Sequence, residues 1–385
     1  MNIAWMRRID YWIGVPVIKV LRLFARQPES LRGDFVPSKV PQRVVCAKFI
    51  GLGSVVLALP LLKALKQEGA QVGFWTFKGQ ASLLEQCGWV DRVFVIEPTL
   101  RNFIPSLIRS LRAVRAFRTP AFIDLESTAN FSAILSFLSG AQIRVGFISA
   151  KPIRESLFTH RVSLTPERHM VENHLTMGVS LGLPLTNDAS LPQPPADWVS
   201  SAQSRRTIII NVNASDLSWH RLWPESSLVE LCSRLIEKTS ATLVFPGAPG
   251  ERPRVQLVVN LLLAAGIPSH RIENLAGKTT LKGLTGLLSE SNLVISVDSG
   301  IMHLAAWVGV PVLGLFGPET TSLFAPWSKK GHALSAKLPC SPCLTVAADK
   351  ITFCRDNQCM KLLTANAVLQ KCLQILGRDH VEIVS

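Results

Sequence analysis

The stretch from residue 292 to residue 318, NLVISVDSGIMHLAAWVGVPVLGLFGP, contains side chains that could bind an anion and act on it. A buried strand delivers Asp298 and Ser299 to its carboxyl end, and Gly300 lets the backbone turn at once into a helix. The first amides of a helix have no intrahelical partner and lie at the positive end of its dipole, so they favour a bound anion. His303 follows one turn later. The structural alternative is that Asp298 or Ser299 only caps the helix and that His303 is an ordinary buried histidine.

A second candidate loop lies in KFIGLGSVVLALP, residues 48 to 60, where Gly51 and Gly53 separate an apolar strand from an apolar helix. A dinucleotide-binding fingerprint needs a third glycine so that the helix packs closely on the strand, and Val56 occupies that position. A dehydrogenase site is therefore poorly supported. A tight turn that binds no ligand is the structural alternative.

These loops need a scaffold, and both halves of the chain predict one. The first half runs from strand RVVCAKFI through helix SVVLALPLLKALKQEG and strands QVGFWTF and DRVFVI to FIDLESTANFSAILSFLSGAQIRVGF, which reads as strand, loop, helix and strand. Between residues 183 and 206 a segment rich in Pro, Ser, Asn and Asp predicts a linker. The second half repeats the alternation from TIIINVN to PVLGLFG. Such alternation predicts parallel sheets with crossover helices.

We therefore predict an α/β protein with two Rossmann-like, doubly wound domains that face each other across a cleft. Ligands bind at the carboxyl ends of the strands in sheets of this kind. A chain of 385 residues is also long for one hydrophobic core. The predicted boundaries are 1–36 for an amphipathic N-terminal segment, 37–195 for the first domain and 205–376 for the second.

The composition limits the possible partners. The formal charge of +14 indicates a partner rich in phosphate or carboxylate. With one Tyr and scattered basic residues, the chain lacks a stacking platform for single strands, so we predict no nucleic-acid partner. No apolar stretch reaches the roughly 18 residues that a transmembrane helix requires. Eight Cys without an export signal fit a reducing cytoplasm.

The N-terminal segment MRRIDYWIGVPVIKVLRLFARQP mixes apolar, aromatic and basic side chains. Pro16 and Lys19 interrupt its apolar run and no small-residue cleavage site follows, so it makes a poor signal peptide. Basic amphipathic segments bind in the interface of anionic membranes, and we predict this role for residues 1–30. Because a polar stretch follows, we expect the segment to be dispensable for folding. A helix packed on its own domain is the alternative.

Four cysteines lie close together in CSPCLTVAADKITFCRDNQC, namely Cys340, Cys343, Cys354 and Cys359. Their spacing permits tetrahedral zinc without being diagnostic of it, and a disulfide or free thiols are alternatives. The chemistry expected of the chain does not need this metal. We predict no cofactor and no metal at the active site, and the sequence contains no Asp-x-Asp to hold a divalent ion.

The stretch around Asp298 resembles the signature of glycosyltransferase family 9, the bacterial ADP-heptose:lipopolysaccharide heptosyltransferases. The residues that carry this resemblance are DSGIMHLAA and the following GVPVLGLFGP. It extends to NVNASDLSWHRLWP, FPGAPGE, NLAGKTTLKGLTGLL and GLGSVVLALPLLKAL, and covers roughly residues 42 to 376. The resemblance implies a GT-B fold, in which the N-terminal domain receives the acceptor and the C-terminal domain binds the sugar nucleotide.

The resemblance also implies roles for individual residues. Arg221 matches a basic residue, usually Lys, that stabilises the departing phosphate, which Arg can do by a bidentate contact. Small polar residues would contact the diphosphate, a carboxylate the ribose, and Thr279 with Thr280 would border the base. The implied donor-binding residues are Asn213, Ser215, Glu251, Thr279, Asp298, Ser299, Gly300 and His303.

The family's proposed general base is an Asp directly after the second glycine of the acceptor-side loop, and Ser54 occupies that position here. A serine with an ordinary pKa cannot accept the proton of the acceptor hydroxyl. Asp124 and Glu126 end a first-domain strand, and we predict that one of them is the base. Loop capping or structural hydrogen bonding is the alternative for both.

Together these features predict an inverting glycosyltransferase. It would move a sugar, a heptose, from an ADP-heptose-like donor to a lipopolysaccharide core or another lipid-linked glycan, at the inner face of the bacterial inner membrane. Ser54 motivates a second hypothesis, a catalytically degenerate protein that binds sugar nucleotides without turnover. A third, an NAD-dependent oxidoreductase, requires the missing third glycine to be dispensable.

Overall fold

The computed structural model describes residues 3–25, 36–148, 152–185, 188–200, 206–214 and 219–378. The chain divides into two compact units. The N-terminal unit comprises Met1–Pro192 and Val346–Lys350, and the C-terminal unit comprises Gln193–Thr345 and Ile351–Ser385. The amphipathic segment at the start of the chain is thus part of the first unit.

Within the described residues, each unit contains a parallel sheet of six strands. The strands of the N-terminal unit are β1 (Arg43–Ala47), β2 (Gln71–Phe77), β3 (Arg92–Ile96), β4 (Ala121–Asp124), β5 (Ile143–Ile148) and β6 (His160–Ser163). Those of the C-terminal unit are β7 (Thr207–Asn211), β8 (Thr242–Phe245), β9 (Ile272–Asn274), β10 (Leu293–Val297), β11 (Val312–Phe316) and β12 (Gly331–Ser335).

The helices of the N-terminal unit are α1 (Ile3–Trp12), α2 (Gly14–Phe24), α3 (Leu52–Val56), α4 (Leu59–Gln67), α5 (Lys78–Gln86), α6 (Phe103–Ala116), α7 (Asn130–Leu138), α8 (Pro152–Glu155) and α9 (Met170–Val179). Those of the C-terminal unit are α10 (Glu225–Lys238), α11 (Arg252–Ala264), α12 (Leu281–Ser289), α13 (Gly300–Val308), α14 (Thr321–Phe324), α15 (Gln358–Lys361) and α16 (Ala365–Arg378). The alternation of helices with parallel strands confirms the α/β class and the Rossmann-like form of both units.

The order of the strands fixes where each unit can hold a ligand. The two sheets run β3-β2-β1-β4-β5-β6 and β12-β11-β10-β7-β8-β9. In each, the first strand of the unit lies beside the fourth, so the chain winds outward in opposite directions from that pair. In doubly wound proteins the loops after such a strand pair diverge, and ligands bind in the resulting crevice at the carboxyl edge of the sheet. The pairs are β1 with β4, and β7 with β10.

The strands at these positions are buried on both faces, which explains their continuous apolar sequences. β10, LVISV, and β7, TIIIN, have no exposed residue, and helices cover the sheet on either side. One side of the C-terminal core joins strand residues such as Ile210 and Ile295 to Leu231 of α10 and Leu369 of α16. The last described helix is therefore part of the core of the C-terminal unit.

The N-terminal helices α1 and α2 pack on α7 and α8. The carboxylate of Asp10 accepts hydrogen bonds from the backbone N–H of Asn130 (2.9 Å) and of Phe131 (2.6 Å) at the first turn of α7. The side chain of Ile18 is fully buried against Leu157, Phe158 and α7. These contacts favour the alternative of a helix packed on its own domain and argue against our expectation that the segment is dispensable for folding, because residues 3–25 cap one helix and complete a hydrophobic cluster.

The opposite face of the same helices is exposed and apolar, and includes Trp12 and Leu23. One face thus packs on the unit while the other remains available. Among the helices of the described residues, none has the length and apolar character needed to cross a bilayer.

Ile18→Ala should lower the free energy of unfolding by about 2 to 5 kcal/mol, because it leaves a cavity in a packed cluster. The matched control is Leu23→Ala, since Leu23 lies on the same helix with 76% of its surface exposed. The control should change the free energy by less than about 0.5 kcal/mol. Urea unfolding followed by circular dichroism measures both. Equal effects of the two substitutions would contradict the packing described here.

Candidate functional site

Polar side chains meet at the carboxyl edge of the second sheet, where β7 and β10 are neighbours. Asn211 ends β7 and Asn213 follows it, while Asp298 and Ser299 follow β10. The loop after β11 adds Glu319. Because parallel strands all end at the same edge, residues far apart in the chain come together here.

The amide of Asn211 organises the loops on both sides of it. Its Nδ2 donates to the carbonyl oxygen of Asn213 (2.9 Å) and to the hydroxyls of Ser296 (3.1 Å) and Ser299 (2.9 Å). The two serine hydroxyls also lie 2.9 Å apart. Ser299 is the N-cap residue of α13, but its side chain makes no capping hydrogen bond. Because its hydroxyl is directed toward Asn211 instead, no side-chain cap from Ser299 covers the first amides of α13.

Arg221 lies largely enclosed between two carboxylates, with 11% of its side chain exposed. Its Nε lies 3.3 Å from Oδ2 of Asp298, and its Nη2 donates to Oε1 of Glu319 at 2.8 Å. Burial alone would lower the pKa of this guanidinium, but the charges of Asp298 and Glu319 outweigh burial and raise it. Arg221 therefore stays charged, and its plane is fixed by contacts on two sides.

His303 lies one turn into α13 and is buried. Its Nε2 is 4.0 Å from Oδ1 of Asp298. Burial lowers the pKa of His303 to about 4, and the charge of Arg221 adds to this effect while that of Asp298 opposes it. The ring is therefore neutral at pH 7. Its Nδ1 is buried and has no hydrogen-bond partner among the described residues.

Asn213 is the second residue with an unsatisfied buried atom. Its Oδ1 has no hydrogen-bond partner among the residues that the structure describes. A Cβ built on Gly247, in the loop after β8, would lie 3.0 Å from Nδ2 of Asn213 and 3.3 Å from Oε2 of Glu251. The absence of a side chain at Gly247 therefore lets Asn213 and Glu251 approach this loop closely. A buried polar atom left without a partner costs about 1 to 3 kcal/mol, so two such atoms at one edge indicate a place where a ligand or water binds.

The remaining predicted donor-binding residues lie around this centre. Glu251 accepts a hydrogen bond from the backbone N–H of Ala248 at 2.6 Å, and its loop follows β8. Thr279 is half-buried in the loop after β9, and the neighbouring Thr280 caps α12 by accepting from the N–H of Gly283. Gly300 begins α13. Ser215 lies outside the described residues.

The segment near the C-terminus anchors the loop that carries Arg221. Nε2 of His220 lies 2.7 Å from the carbonyl oxygen of Cys354. Nδ2 of Asn357 donates to the carbonyl oxygens of His220 (3.2 Å) and Leu222 (2.9 Å). The residues on both sides of Arg221 are thus fixed by hydrogen bonds.

The cysteines of the same segment are free thiols, as are the other four of the chain. Cys359 is buried, whereas Cys340 is exposed. In the part of the chain that the structure describes, no three His, Cys, Asp or Glu side chains form a group that could hold a metal ion. Of the alternatives left open by the sequence, the structure thus contains free thiols.

In the N-terminal unit, the acceptor-side loop turns at Gly51, whose φ of 90° is in the region that favours glycine. Gly53 is buried in α3, and Ser54 is half-buried beside it. A Cβ on Gly51 would lie 3.1 Å from Oγ of Ser54. Ser54, at the position where the resemblance implies an aspartate, therefore lies next to the turn.

The carboxylate of Glu126 binds the residues that immediately precede this loop. Its Oε1 accepts from the backbone N–H of Phe49 (2.9 Å) and of Ile50 (3.1 Å), and its Oε2 lies 2.6 Å from Nζ of Lys48. Burial alone would raise the pKa of Glu126, but Lys48 and the two amides outweigh burial and lower it. Glu126 is therefore an anion that positions the loop, and only 9% of its side chain is exposed.

Asp124 is completely enclosed. Its Oδ2 accepts from Nη2 of Arg154 (2.8 Å) and from the hydroxyl of Ser132 (2.8 Å). Burial raises its pKa to about 6, and the charge of Arg154 opposes this effect. This enclosure argues against Asp124 as the base, one of the two candidates from the sequence, because no part of its side chain is exposed. The geometry favours a structural role for Asp124.

Arg154 connects this pair to the loop that follows β4. Besides Asp124, its guanidinium donates to the carbonyl oxygens of Glu126, Ser127 and Ala129. The side chain has no exposed surface. Arg154 therefore fixes the backbone from which Glu126 reaches the acceptor-side loop.

Sequence reasoning did not identify Asn211, Glu319, Lys48 and Arg154. Asn211 and Lys48 lie at or just beyond the ends of the two central strands, and Glu319 follows β11, so position at a strand end is a signal that could have identified all three. Arg154 does not lie at a strand end. Its contacts reach back thirty residues to Asp124, and local sequence carries no sign of them.

Comparison with known proteins relates this geometry to a family. The family described as glycosyltransferase family 9 (heptosyltransferase) matches residues 106–350. Lipopolysaccharide heptosyltransferase 1 of Pseudomonas aeruginosa is 32% identical over 123 residues, which are 32% of this chain and 32% of that protein. Lipopolysaccharide heptosyltransferase 1 of Salmonella typhimurium is 25% identical over 322 residues, which cover 78% of this chain and 94% of that protein.

A solved structure extends the comparison to the fold. The structure of E. coli ADP-heptose lipopolysaccharide heptosyltransferase II matches with a TM-score of 0.68 at 19% identity, covering 88% of this chain and 100% of the other. This match confirms the GT-B fold. For several curated relatives the matched region spans only about a third to three fifths of their length.

Acid should destabilise the C-terminal unit through His303. In the unfolded chain a histidine has a pKa of about 6.5, so the unfolded state takes up this proton first as pH falls. The stabilisation is complete above pH 6.5 and is lost as pH falls towards about 4, the pKa of the folded protein. The slope attributable to this group is at most about 1.4 kcal/mol per pH unit.

Urea unfolding of the parent and of His303→Gln, measured over this pH range, tests the expectation. The variant should show a flatter pH dependence than the parent. The control is His270→Gln, because His270 is exposed in the same unit, and it should leave the parent's slope unchanged. Parallel curves for parent and His303→Gln would show that His303 is not the group responsible.

Proposed function

Because the chain belongs to glycosyltransferase family 9, we propose that it transfers a heptose from an ADP-heptose-like donor to a lipopolysaccharide core or another lipid-linked glycan. The observation that carries this proposal is the buried guanidinium of Arg221, held by Asp298 and Glu319 beside α13. Family membership argues against the oxidoreductase hypothesis. ADP-heptose is named for the E. coli heptosyltransferase II, and its transfer by this chain is part of the proposal.

The proposed reaction inverts the anomeric carbon in one displacement. The acceptor oxygen forms a bond to that carbon as the bond to the nucleoside diphosphate breaks, and the acceptor proton goes to a base. Negative charge develops on the departing phosphate. Arg221 stays charged when buried, and the first amides of α13 lie at the positive end of a helix dipole. Donors that are already oriented need no reorganisation when the charge forms, which is the main advantage of such a site.

The unsatisfied atoms of Asn213 and His303 support placing the donor at this edge of the sheet. Both atoms are buried and lie next to the residues that would meet the diphosphate. Glu251 in the loop after β8 and Thr279 in the loop after β9 are the proposed contacts to the ribose and the base. Asn211 has no proposed contact with the donor, since its amide is occupied in orienting Ser299.

For the base we propose Glu126 rather than Asp124. Glu126 holds the acceptor-side loop that carries Gly51, Gly53 and Ser54, and its side chain retains a small exposed surface. Its low pKa makes it a weak base, so the proposal requires that acceptor binding displaces part of its present contacts. The degenerate hypothesis, binding without turnover, predicts instead that the parent is inactive.

We also propose that the enzyme works at the inner face of the inner membrane, attached through residues 1–30. The support is the exposed apolar face of α1 and α2, which carries basic side chains as well. A lipid-linked acceptor would be found at this surface. The proposal includes no nucleic-acid partner.

Asp298→Asn should weaken binding of ADP about 10- to 100-fold, because the isosteric amide no longer fixes Arg221 by charge. Isothermal titration calorimetry measures this loss. The matched control is Glu273→Gln, an exposed carboxylate on β9 of the same sheet, which should bind ADP like the parent. If Asp298→Asn binds ADP as tightly as the parent, the donor site lies elsewhere.

In the same series Arg221→Ala should lose roughly 10² to 10³ in rate with ADP-heptose and a heptose-deficient lipopolysaccharide core. Arg221→Lys keeps the charge without the planar fork and should recover part of that loss. Unchanged turnover in Arg221→Ala would show that another residue stabilises the departing phosphate.

Glu126→Gln should lose on the order of 10² to 10⁴ in rate, the usual range for a general base, whereas Ser54→Ala should change the rate little. The single change also leaves Lys48 without its buried partner, so the double variant Lys48→Met with Glu126→Gln is the control. The double variant should remain as inactive as Glu126→Gln. Recovery of the rate in the double variant would show that Glu126 serves only to neutralise the buried charge of Lys48.

Two further variants separate the remaining hypotheses. Asp124→Asn should chiefly lower stability, because Asp124 is the buried partner of Arg154. Under the degenerate hypothesis the parent is inactive and Ser54→Asp gains activity. Full activity in the parent would exclude that hypothesis.

A further inference from the structure

The exposed surface of the N-terminal unit contains two amphipathic features that the proposed chemistry does not use. One is the hairpin of α1 and α2. The other is helix α6, Phe103–Ala116, which connects β3 to β4. Both contact α7, and we call their combined outer surface the basic apolar face.

The outer side of the hairpin is apolar with basic flanks. Trp12 is 73% exposed and Phe24 is 71% exposed. The exposed apolar side chains are Tyr11, Trp12, Ile13, Val20, Leu23 and Phe24. Arg8, Lys19 and Arg22 are exposed as well. Side chains of this size remain in water only at a thermodynamic cost, and a cluster of them marks an interaction surface.

Helix α6 has the same character with more charge. Between residues 98 and 123 there are five arginines and no Asp or Glu. These arginines, all exposed, are Arg101, Arg109, Arg112, Arg115 and Arg118. Exposed apolar side chains lie among them, and Ile104 is 57% exposed.

The two features lie on the same side of the sheet. The crossovers from β3 to β4 and from β4 to β5 run in the same direction across the sheet, so right-handed connections place α6 and α7 on one face. Nε of Arg115 donates to the carbonyl oxygen of Leu138 at the end of α7, and the rings of Phe103 and Phe131 are 5.9 Å apart. The hairpin contacts α7 through its own residues Asp10 and Ile18.

We propose that the basic apolar face, the hairpin together with α6, is the surface by which the N-terminal unit binds an anionic phospholipid bilayer. The hairpin inserts its apolar side chains at the boundary between headgroups and acyl chains, and the arginines of α6 contact lipid phosphates. This inference rests on the proposed work at a membrane surface and extends it to a second, internal helix. Because Asp10 caps α7, the hairpin is rigidly joined to the unit and cannot act as a loose tether.

Charge decides between a bilayer and a second copy of the chain. In a symmetric dimer the same surface meets itself, so a face rich in arginines would meet a second face rich in arginines. Like charges at an interface destabilise it, whereas an anionic bilayer attracts every arginine near its surface. Apolar insertion combined with basic side chains is the pattern of proteins that lie in a membrane interface without crossing it.

Vesicle co-sedimentation tests the proposal with the full chain, phosphatidylcholine vesicles with or without phosphatidylglycerol, and two variants. Arg109→Gln with Arg112→Gln removes two charges of α6, and at about fivefold per arginine should weaken binding to the anionic vesicles about 25-fold. Trp12→Ser with Phe24→Ser should abolish binding to them. Raising the salt concentration should weaken binding by the parent and have less effect on the α6 variant.

Matched controls lie in the C-terminal unit. Lys329→Gln with Lys330→Gln removes two exposed charges there, and Phe353→Ser removes an apolar side chain that is 96% exposed. Both should bind vesicles like the parent. Unchanged binding by the α6 variant would overturn the role of α6, and unchanged binding by the hairpin variant would overturn the role of the hairpin. Sedimentation velocity without vesicles tests for self-association. If the parent self-associates and the hairpin variant does not, the basic apolar face binds a second copy of the chain instead of a bilayer.

Vesicle binding requires neither donor nor turnover, so this experiment and the test of the proposed function fail independently. All the substituted residues are exposed, and ADP binding by each variant checks that the fold and the donor site are intact. Loss of vesicle binding with unchanged ADP affinity is the expected result. Loss of both would show that the substitutions disturb the fold, and the milder variants Arg109→Lys with Arg112→Lys and Phe24→Leu would then have to bind vesicles like the parent.

Discussion

A charged side chain removed from water must be neutralised where it lies, and this constraint arranges the functional loops of both units. An unpaired buried ion costs several kcal/mol, and removing one partner of a buried pair is correspondingly expensive. In the C-terminal unit Arg221 is neutralised by Asp298 and Glu319, which come from the ends of two adjacent strands. In the N-terminal unit Lys48 meets Glu126 and Arg154 meets Asp124. Each pair joins segments that are distant in sequence, so the loops have little freedom to rearrange separately.

The strand order explains why these charges gather at two places only. Both sheets reverse their winding between the first and fourth strands of the unit, and the diverging loops leave backbone and side-chain groups without neighbours. In the C-terminal unit these groups include unsatisfied atoms of Asn213 and His303, which suits a ligand. In the N-terminal unit Glu126 and Arg154 bond the loops at this edge to one another, and Oδ1 of Asn130 is a buried atom that lacks a partner among the described residues. The same topology thus yields an edge suited to a ligand in the C-terminal unit and an edge held largely by internal hydrogen bonds in the N-terminal unit.

The sequence predicted the parts of this structure that depend on local pattern. Buried strands, crossover helices and the residues that immediately follow β10, Asp298 among them, were identifiable because strand ends of parallel sheets meet at one edge. Arg221 was assigned to the same site only through the family resemblance. Burial of Asp124 was not predictable, because it depends on Arg154, which follows thirty residues later on a helix of four residues. The N-terminal hairpin has the composition of both a packed helix and an interfacial one, and only the contacts of Asp10 and Ile18 show that one face packs on α7.

The long sequence separations within these pairs affect the order in which the protein forms during synthesis. Asp124 leaves the ribosome thirty residues before Arg154, so the loop after β4 has no guanidinium to organise it until α8 has emerged. Glu319 follows Arg221 by 98 residues, which leaves the arginine exposed while most of the second sheet is still being made. A nascent chain interrupted before residue 319 would therefore present a set of strands with a charged, open edge, and such intermediates are the ones that chaperones have to protect.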